Sequence, residues 1–306
     1  MSKKILWLTT SSMNVEPVID SLESCGFDIQ IEKVNFDSVA ENYFFDEQLY
    51  VDVAQRKPDA VFYIGSLEGP YLARPHVFQM IRDFTPIVNF VFDGACPNGW
   101  PTLKKFRENK CFTITVNIDG NQDWPKGEND MTTLCPIDPR PYNKQVEKSV
   151  KVGFCGGSAS SDRAALLKRL EAEGLIERQE RDESAGSYPK YADFMLKCQA
   201  VVNMAKSGSG QSMQVKARVV EAGLASACLL EPKGSPTKNW LKPDVEYLEY
   251  SNTEDLMAII RVLSLKDSSM AERIGKALHK RVTSDYSPTA IFTKIFQKIG
   301  LEVSGK

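Results

Sequence analysis

The sequence predicts an α/β protein built of two Rossmann-like domains that face across a cleft. Three observations carry that expectation. Short β-type runs alternate with helical stretches from the first residues onward. Several runs are apolar almost without interruption, as in Ile87-Val88-Asn89-Phe90-Val91-Phe92, which is how parallel strands covered on both faces look. The chain has 306 residues, more than one hydrophobic core usually serves, so two domains of about 150 residues each are expected. Strand–helix alternation of this kind builds right-handed βαβ units and an open doubly wound sheet.

Taken in order, Lys4–Leu8 reads as a first strand, followed by a helical pattern through Val15, Ile19, Leu22 and Cys25 that Gly26 closes. Those apolar positions fall on one helix face. Asp28–Val34 is the next strand, then a helix near 47–57, the strand Ala60–Ile64, a helix near 71–83 and the strand Ile87–Phe92. A Pro/Gly-rich loop at 94–101, a short helix and the strand Cys111–Val116 complete the first sheet. Residues 119–149 hold Gly120, Pro125, Gly127, Pro136, Pro139 and Pro141 among polar residues and read as a linker. A new sheet starts at Val150–Cys155 and continues through helices at about 162–173 and 189–198 to the strand Ala200–Met204. A Ser/Gly loop at 207–212 is expected to open a helix running to about Ser226, followed by the strand Ala227–Glu231, a short strand near 245–249 and helices from Thr253 to Ser284. This places an N-terminal domain over 1–140 and a C-terminal domain over 141–306, the last amphipathic stretch (287–299) packing on its own domain or crossing back to the first.

Composition excludes several classes. With 38 Lys+Arg against 40 Asp+Glu, 42% hydrophobic and 25% charged residues, the chain is neither disordered nor a disulfide scaffold. A net charge of −2 gives no polyelectrolyte drive toward DNA or RNA. No apolar run approaches the roughly 20 residues that span a bilayer, and Ile5-Leu6-Trp7-Leu8 is too short for a signal-peptide core. The seven cysteines are irregularly spaced with no C-x-x-C pair, and the two histidines, His76 and His279, are too few for a histidine-rich site. No metal site is expected. The reading is a reduced, cytoplasmic protein.

Ligands of open α/β sheets bind beyond the carboxyl ends of the strands, and four loops qualify. Gly156-Gly157-Ser158-Ala159-Ser160-Ser161-Asp162-Arg163 joins a buried strand to a helix whose free N–H groups favour a phosphate. The alternative is a tight turn capped by Asp162 or a serine; a full G-x-G-x-x-G dinucleotide fingerprint is absent. Lys206-Ser207-Gly208-Ser209-Gly210-Gln211-Ser212 precedes Lys216, Arg218 and Glu221, and a lysine, a flexible loop and a helix N-terminus suit a diphosphate. Arg218 and Glu221, three apart, are equally a surface ion pair. Gly65-Ser66-Leu67-Glu68-Gly69-Pro70 is the third loop and Asp93-Gly94-Ala95 the fourth. Asp93 closes an apolar strand and is either a base or acceptor-orienting group at the cleft rim or a turn cap. His76 reads as a partly buried polar residue, and Arg273, Lys276, His279, Lys280 and Arg281 as a solvated helix face.

From Val152-Gly153-Phe154-Cys155-Gly156-Gly157 onward the order of features becomes specific. Tyr191-Ala192-Asp193-Phe194-Met195, the strand Val201–Met204, the run Lys216-Ala217-Arg218-Val219-Val220-Glu221-Ala222-Gly223-Leu224-Ala225-Ser226 into Ala227–Glu231, and Thr253-Glu254-Asp255-Leu256 follow. This resembles the C-terminal half of GT-B-fold glycosyltransferases, especially their spore-coat-protein-like branch. The resemblance covers roughly the last 150 residues. It implies a nucleotide-sugar donor and an acceptor of unread identity, no cofactor beyond that donor, and metal-independent transfer. It implies a donor set of Gly156, Gly157, Arg163, Lys206, Arg218 and Glu221, with Glu221 on the ribose hydroxyls, Arg218 and Lys206 on the diphosphate, and Gly156-Gly157 bordering the nucleotide. Asp93 is the catalytic candidate of the acceptor-side domain. Met213 stands where retaining relatives often carry a glutamate, Ser226 where a glycine is expected and Leu224 where the pattern has an alanine. The stereochemistry therefore stays open, as do a binding protein without turnover and a nucleotide-sugar epimerase on the same fold.

Overall fold

The computed structural model describes residues 2–9, 16–35, 45–65, 74–156, 161–179, 188–206, 212–265 and 269–305. The chain divides into two compact units, one of Met1–Thr133 with Pro288–Lys306, the other of Leu134–Ser287. In the first unit the chain runs β1 (Lys3–Thr9), α1 (Glu16–Glu23), β2 (Ile29–Asn35), α2 (Phe45–Arg56), β3 (Ala60–Ile64), α3 (Pro75–Arg82), β4 (Ile87–Val91), α4 (Trp100–Glu108), β5 (Ile114–Asn117) and β6 (Met131–Thr132). The strands pair in the order β2-β1-β3-β4-β5-β6, all parallel. β3, β4 and β5 are buried along their whole length, which accounts for the mostly apolar sequences of β3 and β4, while Asn89, Thr115 and Asn117 are polar residues buried among them.

Trp7 of β1 lies opposite Phe62 of β3, with ring centroids 5.0 Å apart, and stacks on Phe90 at 5.2 Å. The last helix of the chain, α10 (Pro288–Lys298), belongs to this unit. Its Phe292 and Phe296 stack on Phe62 at 6.2 and 5.8 Å. The tail then bridges Gly305 to Phe27, so burial of an aromatic face fixes where α10 docks. Two features differ from the sequence expectation. Cys111 precedes β5 rather than opening it, because Lys110 turns left-handed (φ 49°) at the end of α4. The Pro/Gly-rich stretch after β5 is ordered: Trp124 is buried with Val91 and Leu103 and donates its indole N–H to Thr132 Oγ1 at 2.8 Å.

The second unit holds β7 (Val150–Cys155), α5 (Ser161–Ala172), β8 (Glu177–Gln179), α6 (Tyr188–Lys197), β9 (Cys198–Val202), α7 (Ala217–Leu224), β10 (Cys228–Pro232), β11 (Leu248–Tyr250), α8 (Thr253–Ser264) and α9 (Ser269–Ser284). Its strands run parallel in the order β11-β10-β9-β7-β8. Both sheets thus have the doubly wound arrangement in which the chain leaves a central strand, pairs outward on one side and then crosses to the other. Their switch points lie between β1 and β3 and between β7 and β9. The fold class expected from sequence, two parallel-sheet α/β units, is the one observed. β8 escapes sequence detection because its Glu177, Arg178 and Gln179 make a short, largely exposed edge strand.

Helix α7, which carries two of the candidate residues, packs closely on α9. A Cβ on Gly275 would meet the carbonyl oxygen of Ser226 at 2.4 Å, and one on Gly223 would meet Val282 at 2.6 Å. Its C-terminal carbonyls are capped by side-chain donors. Lys148 Nζ donates to Ala225 O at 2.6 Å and to Cys198 O at 2.8 Å. His279 Nδ1 donates to Gly223 O at 2.9 Å, so His279 is a half-buried cap rather than part of a solvated face. Burial pushes the Lys148 ammonium down to about 8. The thiols of Cys111, Cys198 and Cys228 are pushed up to about 12 by the same cause, which leaves them unreactive.

Candidate functional site

At the switch point of the second sheet, β7 ends at Cys155 and β9 at Val202, with Asn203 just beyond it. Arg218, in the first turn of α7, lies across this point. Its Nη2 donates to the carbonyl of Cys155, its Nη1 donates to Asn203 Oδ1 at 2.9 Å, and its guanidinium lies 4.8 Å from the centre of the Phe154 ring. Gly156 makes this approach possible. A Cβ there would stand 2.4 Å from Arg218 Nη2, and the residue has φ +140°, a conformation that L side chains rarely adopt.

Arg163, in the first turn of α5, is half-buried beside it. Burial first, and the charge of Arg218 second, lower the proton affinity of the Arg163 guanidinium. Guanidiniums beside a helix N-terminus suit an anion. Lys206 is exposed at the exit of β9, where a bridge to Met213 closes the 207–211 loop. That bridge corrects one expectation: the loop does not open the helix directly. The chain returns to the sheet at Met213, Gln214 N donates to Ala205 O at 2.8 Å, and α7 begins only at Ala217, with Lys216 as its N-cap. Gly157 and Ser207–Gln211 lie outside the described residues, as does the 66–70 part of the third candidate loop.

Glu221 is one turn further along α7 and is only 5% exposed, not half of a solvated pair. Tyr191 donates its hydroxyl to Oε2 at 2.6 Å and Tyr188 to Oε1 at 3.2 Å, while the Tyr142 hydroxyl sits 3.1 Å from that of Tyr188. The Tyr188 and Tyr191 rings stack at 5.8 Å. All three phenols are held well above their ordinary range by burial first and by the charge of Glu221 next. Sequence reasoning missed this cage. Its signal was the Tyr188-x-x-Tyr191 spacing, which puts two hydroxyls on one helix face.

In the other unit, Asp93 is exposed just beyond β4 in a left-handed conformation (φ 56°), and its carbonyl accepts from Cys96 N at 2.8 Å. Asp119, beyond β5, is a further carboxylate that sequence reading passed over. It is buried and accepts from Ala95 N, Asn121 N and Asn117 Nδ2, and burial outweighs these bonds to raise its pKa. His76 is exposed on α3. The structure therefore brings Gly156 and Arg218 together, with Arg163 in the first turn of the helix after β7; Lys206 and Glu221 belong to the same unit, and Asp93 to the other. A cavity of about 650 Å³ at the amino ends of β7, β9 and β10, lined by Lys148, Ser226 and His279 among others, contains none of these residues. Among the described residues no group of three or more His, Cys, Asp or Glu is placed to hold a metal ion, and no helix is long and apolar enough to cross a membrane.

With this geometry in view, the chain can be set beside known proteins. Residues 163–297 match a family model described as glycosyl transferase-like. That stretch contains Arg163, Lys206, Arg218 and Glu221. Among solved structures, the chain is similar to Anabaena HepE in complex with UDP and glucose, at 12% identity and a TM-score of 0.67, covering 97% of this chain and 99% of that one. It is similar to an alpha-glucosyltransferase in complex with UDP and a 13-mer DNA, at 9% identity and a TM-score of 0.66, over 98% and 99% of the two chains. A glycosyltransferase from Rickettsia africae aligns at 10% identity and a TM-score of 0.61, over 97% of each chain. At these identities the likeness establishes a shared fold. The curated proteins give no match.

Proposed function

We propose that this chain is a glycosyltransferase that binds a nucleotide-sugar donor in its second unit and transfers the sugar to an acceptor without a metal ion. The observation that carries the reading is Arg218 held across the ends of β7 and β9, with Arg163 in the first turn of the helix that follows β7. Such a centre takes a diphosphate and stabilises it as it departs. The glycosyl transferase-like match over 163–297 supports the same conclusion, and the run Lys216–Glu231 supports the spore-coat-protein-like branch. UDP is the first nucleotide to try, because it occupies two of the similar structures.

In this reading Gly156 and Gly157 border the nucleotide, Lys206 adds charge from the exit of β9, and the caged Glu221 carboxylate receives the ribose hydroxyls. The bond from the sugar's anomeric carbon to the diphosphate oxygen breaks as a bond to the acceptor oxygen forms. Asp93, an exposed carboxylate beyond β4, takes the acceptor's proton. Irregular cysteine spacing supports a reducing, cytoplasmic location.

Two expected outcomes test this. UDP affinity should be unchanged when EDTA replaces divalent cations, since arginines and a helix terminus supply the neutralising charge; a strict metal requirement for both binding and transfer contradicts the metal-independent part. With a UDP-sugar panel, Asp93→Asn should cut turnover about 100-fold or more, the scale of general acid–base catalysis, while leaving UDP affinity within about two-fold. Wild-type turnover in that variant returns Asp93 to a turn-forming role.

A further inference from the structure

Behind Arg218 stands a buried carboxylate that the proposed chemistry does not use. Glu231, near the end of β10, is 0% exposed. It accepts from Ser235 Oγ at 2.6 Å, from Asn203 Nδ2 at 2.7 Å and from Thr237 Oγ1 at 2.9 Å. All three groups can donate to an ionised carboxylate. Burial holds its pKa above the ordinary range, although the three hydrogen bonds and the charge of Arg218 oppose that shift.

An ionised carboxylate can only accept, so the amide of Asn203 must turn its nitrogen toward Glu231 and its oxygen away. That oxygen meets Arg218 Nη1 at 2.9 Å. Asn203 is itself 0% exposed; its backbone carbonyl accepts from Tyr250 at 2.7 Å, and its two side-chain bonds, to Glu231 and from Arg218, set the orientation of the amide. A chain of two hydrogen bonds therefore joins Glu231 to the guanidinium. Among the described residues, Arg163, of like sign, also acts on Arg218's surroundings, and Glu221 has its carboxylate held by the tyrosines.

We propose that Glu231 is the resident counter-charge of Arg218, acting through Asn203, and that it restrains how tightly the switch-point site takes a diphosphate. The proposal rests on Arg218 being a diphosphate ligand. Glu231 is a positioning residue, out of reach of the ligand. In the empty site its charge compensates a guanidinium withdrawn from water; when a diphosphate arrives, the two anions compete for the same cation. Charge acts over that distance because attraction falls only as the inverse of separation. Removing the charge while keeping the shape should therefore destabilise the empty protein and tighten anion binding. A residue that serves packing alone cannot do both.

The test uses the full chain and the variant Glu231→Gln, titrated calorimetrically with UDP and with inorganic diphosphate, with Tm recorded for the empty protein. The expected result is a lower Tm with both ligands bound roughly 3–10-fold more tightly. A lower Tm with unchanged or weaker affinity overturns the proposal. A ligand-free cycle settles the case even if the single variant does not fold. Arg218→Gln leaves Glu231 buried without its cation, so the double variant Arg218→Gln/Glu231→Gln should melt above Arg218→Gln alone. A double variant that melts no higher overturns the pairing. Wild-type protein that binds neither ligand would instead contradict the donor-site reading, and the melting cycle would still report on the pair.

Discussion

Replacing Arg218 with leucine is expected to weaken UDP binding by about 2–5 kcal/mol, the cost of removing one partner from a desolvated charge pair. The side chain touches the β7 terminus at Cys155, the β9 terminus through Asn203, and the face of Phe154. Its loss removes the charge and also releases the amide of Asn203 from its fixed acceptor role. Leucine still covers Phe154, so far-ultraviolet circular dichroism should keep its wild-type shape while Tm falls. Arg218→Lys keeps the charge but cannot span the two strand ends with a planar fork, and it should recover only part of the affinity. Wild-type affinity in Arg218→Leu would remove this residue from the site.

Glu221→Gln is expected to act on binding and on stability together. Loss of a charge-assisted bond to the ribose hydroxyls should weaken UDP by about 1.5–3 kcal/mol. From sequence alone, with Glu221 read as half of an exposed pair, stability would hardly change. The structure revises that. The carboxylate is 5% exposed and accepts from two phenols, and an amide presents one of them with an N–H group in place of an acceptor. Leaving a buried hydroxyl poorly matched costs about 1–3 kcal/mol, so a Tm decrease should accompany the affinity loss. Melting curves and UDP titrations on the same samples separate the two effects. A Tm decrease with unchanged UDP affinity would make Glu221 a structural anchor of α6 on α7.

The contrast between those readings of Glu221 shows what a sequence can and cannot carry. The mostly apolar runs of β3 and β4 were legible, because parallel strands buried on both faces leave a composition signal. Arg163, Arg218 and the glycine at 156 were legible because strand ends and helix starts are local features. The partners that fix their chemistry were not. Tyr191 reaches Glu221 from 30 residues away, and Glu231 reaches Asn203 across 28, distances that only the crossover of the sheet closes. Local geometry also escaped: the bridge from Lys206 to Met213 sends the chain back toward the sheet before α7 begins, although the Ser/Gly run itself favours a direct entry into the helix. Edge strand β8 escaped because exposed polar residues carry no burial pattern.

The carboxyl ends of β7 and β9 are proposed to bind a nucleoside diphosphate through Arg163 and Arg218. Isothermal titration of UDP in EDTA-containing buffer, run on the wild type, on Arg218→Leu and on Arg163→Leu, tests this most directly. The predicted result is saturable one-to-one binding by the wild type, weakened in both variants and further weakened by added salt, as an arginine–phosphate contact requires. Absence of binding by the wild type to UDP and to the other nucleoside diphosphates, or equal affinity in all three proteins, would contradict it.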